Sequence, residues 1–335
     1  MTTKIYLEKI QAALEATRGT AIADPTHVLP MISGTVTPKK TLYEPEEMTG
    51  IMSKQFRHTR TRNWGEFEIE MAADTAYLPF LMNMAVIDED TPTTPGGGTN
   101  SRLWTFIPSE TADDIKTATL WSGDENVQTW VSDFAALQTL TFSNDATNED
   151  GATVSLSGLT NAPAKDSAPT PAARITTGKL LPAMAMNLWL DTSSGIGTTA
   201  IAGRLITVTH EISTGVEVKY IPTGSTTTFD YSALSRNAAA RRLVTTITLE
   251  LPDSAQYDVW AADTVVKCRV RHSGQLIEGS LYHYCEFDTY GPLKDLEWGD
   301  HAAGNRTVSF TIESQYDTTL AAPFRVAIQN VSTTL

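Results

Sequence analysis

The chain has two cysteines, Cys268 and Cys285, among 335 residues. A secreted disulfide scaffold carries more of them in a shorter chain, so no such framework is expected. Charge is thin: Asp, Glu, Lys and Arg make up 19%, against about 25% in an average domain. Cations are the scarcer sign, with 25 Lys and Arg against 39 Asp and Glu and a formal net charge of −14. A protein that grips nucleic acid by its phosphates is basic. An acidic surface repels DNA and anionic membranes alike. No apolar run approaches the ~20 residues of a membrane helix. The opening Met1-Thr2-Thr3-Lys4-Ile5 has no signal-peptide apolar region. These absences predict synthesis and assembly in a reducing cytoplasm, with no membrane partner.

Catalytic and ligand-binding signatures are equally sparse. The one Gly-rich run, Pro95-Gly96-Gly97-Gly98, lacks the Lys and Ser/Thr of a phosphate-cradling loop and reads as a loop tip. Of six histidines, only His283 stands beside a cysteine, in His283-Tyr284-Cys285. Zinc needs four ligands at recognisable spacing, and no second pair is visible. No nucleophile elbow accompanies Cys285. No catalytic residue, metal or other cofactor is expected. Carboxylates do gather at Asp288, Asp295, Glu297 and Asp300, near Tyr290 and Trp298. That mixture suits sugar binding, but paired carboxylates prove nothing without geometry, so the simpler reading is an acidic solvated loop. The cluster also lacks the central Gly and terminal Glu of a calcium loop.

What the chain does have is Thr, Ser, Ala and Gly, a β-favouring and turn-rich mixture. Glu66-Phe67-Glu68-Ile69-Glu70-Met71 alternates strictly, with Phe67, Ile69 and Met71 on one side and three Glu on the other. That is a half-buried strand. From Asp74 to Val86 apolar residues recur at helical spacing, and Pro79 falls in a first turn where proline is tolerated. Ile5 to Ala16 carries a partial apolar stripe and predicts a second short helix, stopped at Gly19. Nearly every other patterned segment predicts a strand. Among them are Met31–Pro38, Gln128–Val131, Ala136–Ser143, Leu243–Leu251, Tyr282–Phe287 and Arg306–Ile312. Thr160 to Gly178, with Pro163, Pro169 and Pro171, reads as a linker.

The two sides of this linker look alike. At an offset of 180, Phe67, Ile69 and Met71 meet Ile247, Leu249 and Leu251, while Tyr77 meets Tyr257 and Phe80 meets Trp260. Trp104 falls opposite Tyr284. Such self-similarity predicts one fold used twice.

Several short motifs then resemble the tail tube proteins of siphophages, the long flexible-tailed bacteriophages. They are Glu15-Ala16-Thr17-Arg18-Gly19-Thr20-Ala21, Val28-Leu29-Pro30, Ser33-Gly34-Thr35-Val36-Thr37-Pro38 and Asn63-Trp64-Gly65-Glu66-Phe67-Glu68. Tyr290-Gly291-Pro292 and Gly304-Asn305-Arg306-Thr307 follow in the second half. The resemblance lies in their order along nearly the whole chain. It implies a mainly β fold of two tandem tail-tube-type β-sandwich or barrel modules, each with a short flanking helix. The expected layout is an N-terminal arm (1–27), a first tube module (28–160), a linker (161–178) and a second tube module (179–335).

The resemblance further implies a structural virion protein that forms stacked rings, through which DNA is ejected without specific binding. The chain itself is the main partner, as a homotrimer with pseudo-sixfold symmetry or as a homohexamer. Tape measure, tail terminator and distal tail proteins are the others, and the virion tail is the location. A basic stretch, Lys54, Arg57, His58, Arg60 and Arg62, reads as a solvated loop or as a ring-stacking loop that meets an acidic face of the next ring. Glu66, Glu68 and Glu70 are candidates for an acidic lumen face, or face outward or meet the basic loop of a neighbour. The alternative is a carbohydrate-binding adhesin built from β-sandwiches, and a carbohydrate-active enzyme is the other rival.

Overall fold

The computed structural model describes residues 8–335 except 47–56, 90, 113–114, 125, 148, 167–168, 194, 223–229, 238–239, 251–253 and 301–304. The chain begins with β1 (Lys9–Leu14), β2 (His27–Leu29), β3 (Met31–Tyr43) and β4 (Thr59–Ala72), then helix α1 (Leu78–Ala85). β5 (Arg102–Phe106), β6 (Ala118–Asp124), β7 (Gln128–Asp145), β8 (Thr153–Thr160) and β9 (Ala164–Asp166) follow. Next come β10 (Met186–Asp191), β11 (Ala200–Ile201), β12 (Leu205–Ser213), β13 (Val216–Lys219), β14 (Ala233–Arg236) and β15 (Arg242–Glu250). Helix α2 (Ala255–Ala261) precedes β16 (Val265–Glu278), β17 (Leu281–Asp300), β18 (Arg306–Glu313) and β19 (Phe324–Asn330). The protein is thus mainly β, with two short helices among the described residues.

Eight strands form one antiparallel layer in the order β3-β4-β8-β7-β12-β15-β18-β17. The first four and the last four follow one pattern. Each set has an early strand, then the strand that leads to the helix, then the set's final strand, then a long strand that changes sheets. β7 pairs with β6 and β9 before it joins the layer. β17 pairs with β16 and β19, and only its end, from Leu293, joins the layer.

One face of the layer is apolar because its strands alternate. Phe67, Ile69 and Met71 of β4 are buried with Leu78, Phe80 and Leu81 of α1, in a core that reaches Phe287, Val326 and Ile328. Val208, Ile247 and Phe310 form a second core with Val266, Cys268 and Val270. Every residue of α1 is buried. The Asp74 carboxylate holds the turn that precedes α1, accepting from the Ala76 amide at 2.9 Å. Asn83 fastens the chain beyond it, donating to the Glu89 carbonyl at 3.2 Å and accepting from the Glu89 amide at 2.9 Å.

The structure corrects three expectations. The N-terminal segment is no helix: Lys9–Leu14 is a strand between β2 and β6. Ile10, Gln11, Ala12 and Ala13 are all buried, so this strand has no wet face and no alternation to announce it. Gln128–Val131 and Ala136–Ser143 are parts of one strand of 18 residues, bent where Phe134 adopts φ +53°. The offset of 180 carries β4 onto β15 and α1 onto α2, then fails. Trp104 lies on β5 and Tyr284 on β17, whereas the counterpart of β17 by strand order is β7.

Candidate functional site

The second face of the eight-stranded layer is lined with hydroxyls. Cross-strand register puts Thr35 opposite Glu68, Glu68 opposite Ser157, and Ser157 opposite Thr139. The row continues through Ser213 and Arg242. A parallel row runs Ser33, Glu70, Ser155, Thr141, Glu211, Val244 and Glu313. Thr209, Thr246 and Thr311 extend the same surface over the second set. Ala72, Ala136, Leu159 and Val244 are apolar interruptions of it. A shallow concavity crosses it, lined by Thr35, Glu68, Glu70, Thr139, Thr141, Ser155 and Ser157.

Acid outweighs base on this face. Glu66, Glu68, Glu70, Asp145, Glu211, Glu250, Glu297 and Glu313 stand there against Lys39, Arg62, Arg242 and Lys294. The cations are held locally. Lys39 lies 3.2 Å from Glu66. Arg242 and Lys294 meet Glu313 at 2.9 and 2.6 Å. The Trp64 indole N–H, and then Lys39, hold the Glu66 carboxyl below its ordinary range. Lys294 and Arg242 do the same for Glu313. Ser33 donates to Glu70 at 3.2 Å. The surface therefore offers hydroxyls and net negative charge, and among its described residues there is no cationic row that would track a phosphate backbone.

Glu66, Glu68 and Glu70 thus share one face of β4, as their alternation predicts. The basic residues fall differently. Lys54 lies outside the described residues. Arg57 and His58 are exposed just before β4, and Arg60 and Arg62 are on the strand itself, paired with Leu42 and Thr41. β4 meets β8 only from Gly65 onward. Thr59–Trp64 therefore runs past the layer as a two-stranded ribbon with Lys39–Tyr43. Tyr220 and Asp230 prop its base, through Arg62 over the Tyr220 ring at 4.7 Å and an Asn63–Asp230 hydrogen bond of 3.3 Å.

The layer ends in two open edges. Among the described residues β3 pairs with no strand but β4, and Leu293–Asp300 of β17 with none but β18. An unpaired edge is a template for another chain. These two have opposite chain directions within the layer, because all eight strands alternate.

The carboxylate group of the second half does not converge, and it is not a loop. Asp288, Tyr290, Asp295, Glu297, Trp298 and Asp300 all stand on β17, a strand of 20 residues. Asp288 is buried and bound to Arg269 at 2.7 Å and Arg325 at 2.8 Å. Glu286 beside it meets Arg271 and Arg325, each at 2.5 Å. This ladder of charges is closed on itself. Asp295 accepts from Thr311 at 2.9 Å. His283 bonds to Thr75 at 3.0 Å, and Cys285 is fully buried. No group of three His, Cys, Asp or Glu suited to a metal ion occurs among the described residues.

Two structural features escaped sequence reasoning. One is the joint between β7 and β12, which runs from Asp145 opposite Thr207 to Thr139 opposite Ser213. The other is a buried histidine pair, His210 and His272, whose Nε2 atoms lie 3.3 Å apart. Burial pushes His272 down to about 3, and burial beside His272 holds His210 well below its ordinary value. Both rings are neutral. No motif marks either feature, because each joins strands far apart in the chain.

A family model described as phage tail tube protein matches residues 7–281, more than half of the chain. Comparison with curated proteins found no match.

Proposed function

The chain belongs to the phage tail tube protein family, and from that premise we propose that it assembles into stacked rings whose bore conducts DNA. The family makes it a structural component of a virion tail, associating with itself and with other tail proteins. The finer reading is a siphophage tube, built from two tube modules per chain. Residues 28–160 and 179–335 carry the modules, 161–178 link them, and the N-terminal arm contributes β1 to the first.

The observation that carries this reading is the eight-stranded layer with two open edges of opposite direction. A heterologous contact between such edges closes a ring when its rotation closes, and closure pairs every edge. Three chains supply twenty-four strands. At about 4.8 Å spacing and about 40° tilt these enclose a backbone radius of about 24 Å. One chain closing alone would give a barrel filled by its own side chains. A homotrimer with pseudo-sixfold symmetry therefore suits a conduit.

The hydroxyl and carboxylate face, with Glu66, Glu68 and Glu70, then lines the bore. Negative charge keeps a hydrated layer between wall and phosphate, so DNA passes without specific binding. The basic stretch Lys54, Arg57, His58, Arg60 and Arg62 reaches the next ring. Assembly takes place in the host cytoplasm. Tape measure, tail terminator and distal tail proteins are the further partners. Negative-stain imaging of the purified protein tests the reading: rings or tubes support it, and discrete globular particles that bind glycans support the adhesin instead.

A further inference from the structure

We infer that the β7–β12 joint inside one chain is repeated between chains, with β3 of a second copy seated on the open edge of β17 in one defined register. The inference rests on the ring-forming reading and adds which residues meet.

The register follows from strand neighbours. Val36 of β3 lies opposite Phe67, and Val208 of β12 lies opposite Ile247, the counterpart of Phe67. Thr41 lies opposite Arg62, and Ser213 opposite Arg242, again counterparts. β12 and β3 are therefore aligned residue for residue, with Ser213 matched to Thr41. On the other side, β7 and β17 carry a bulge at the same place, between Leu137 and Thr139 and between Lys294 and Glu297. Beyond it Thr139 and Leu140 face Ser157 and Leu156, while Glu297 and Trp298 face Ser309 and Val308. Glu297 stands in the place of Thr139, and Trp298 in that of Leu140.

Within the chain Thr139 faces Ser213, Leu140 faces Ile212 and Thr141 faces Glu211. Between chains the same register sets Glu297 opposite Thr41 of the second copy, Trp298 opposite Lys40 and Gly299 opposite Lys39. Glu297 and Lys39 then share a face as diagonal neighbours of opposite charge, about 7–8 Å apart at their backbones and within reach of long side chains. The Lys40 stem lies along the Trp298 ring.

Burial points to the same occupant. Leu140 is fully buried, whereas Trp298 is 51% exposed. Tyr77 and Phe80 of α1 are each 1% exposed, and their counterparts Tyr257 and Trp260 of α2 are 43% and 39% exposed. Tyr257 lies 5.7 Å from Trp260 and 6.3 Å from Trp298. The aromatic group borders the open edge; in the first half Leu140, the counterpart of Trp298, is covered where β12 pairs with β7, while Tyr77 and Phe80 are covered by His27 of β2. A second copy supplies the cover that Trp298 lacks.

The test is register-specific oxidation of assembled full-length protein. Glu297→Cys is combined in one chain with Thr41→Cys, or with Lys39→Cys or Tyr43→Cys as shifted registers. The native thiols, Cys268 and Cys285, are fully buried and do not interfere. The account expects chain-to-chain disulfides at least about tenfold faster for the 297/41 pair than for either shifted pair. Rings that cross-link equally well or faster in a shifted register, or not at all, overturn the register and leave the ring reading intact. A parent chain that never assembles overturns both. Quenching of Trp298 by oligosaccharides, with no cross-link, puts a sugar on this surface and also overturns the proposal.

Discussion

The Glu15 carboxylate accepts a hydrogen bond of 2.7 Å from the backbone N–H of Phe134, the residue at which β7 bends from one sheet into the other. The same carboxylate accepts from Gly19 at 2.8 Å, Thr117 at 2.6 Å and Thr119 at 3.0 Å, and is itself buried. This explains the Glu-x-x-x-Gly spacing near the N-terminus: Glu15 satisfies buried donors at the point where the layer meets its neighbour. Glu15→Ala leaves those donors unpaired and should cost about 3 kcal/mol or more. Thermal unfolding should fall by several degrees, with Glu15→Gln intermediate. A melting temperature unchanged within a degree would show that the bend holds without this carboxylate.

Acid should loosen the core between the sheets. His210 and His272 are buried with Phe142 and Phe287, and bond to Thr245 and Asn144 at 3.0 Å each. Both have folded values below the unfolded ~6.5. The unfolded chain therefore binds protons that the folded chain refuses, and stability falls as pH drops below about 6.5. Each histidine contributes up to about 1.4 kcal/mol per pH unit, down to about 3 for His272. Denaturant titrations at pH 7 and pH 5 measure the loss, and His272→Gln should flatten it. An equally steep profile in that variant would assign the acid lability elsewhere.

The ribbon beyond Gly65 should matter to stacking and not to folding. Arg60 and Arg62 are exposed on a two-stranded extension that adds nothing to either core. Arg60→Glu with Arg62→Glu should leave the melting temperature within about 1 °C, since exposed substitutions rarely exceed ~0.5 kcal/mol. The same change should convert long tubes into short stacks or single rings on electron microscopy. Full-length tubes from this variant would remove the ribbon from the stacking contact.

The acidic face gives a binding prediction. Tubes of the parent chain should not retain duplex DNA at 0.15 M salt, while Glu66→Lys, Glu68→Lys and Glu70→Lys together should create retention that falls steeply with salt. Tight, salt-sensitive binding by the parent tubes would contradict a low-friction wall.

Much of this fold is legible in the sequence, and the exceptions share a cause. β4 shows because Glu and apolar residues alternate along it, and α1 shows because its stripe repeats at helical spacing. β1 hides because both its faces are buried and Ala-Ala-Leu suits a helix as well. β17 hides because Gly291-Pro292 punctuates it. A side chain at Gly291 would collide with the Glu313 carbonyl oxygen, so the glycine there marks close packing inside a strand and not a turn. The acidic residues are visible as a row, but their partners across β3, β8 and β12 are not. Pairing between distant strands leaves no local signal.

The number of chains in one ring tests the central claim most directly. If each chain supplies two sectors of a continuous wall, an isolated ring weighs three times 36.4 kDa, about 109 kDa. Native mass spectrometry of rings released from the stacking mutant measures it. Three chains per ring is the predicted result, and a ring of six chains would contradict the account.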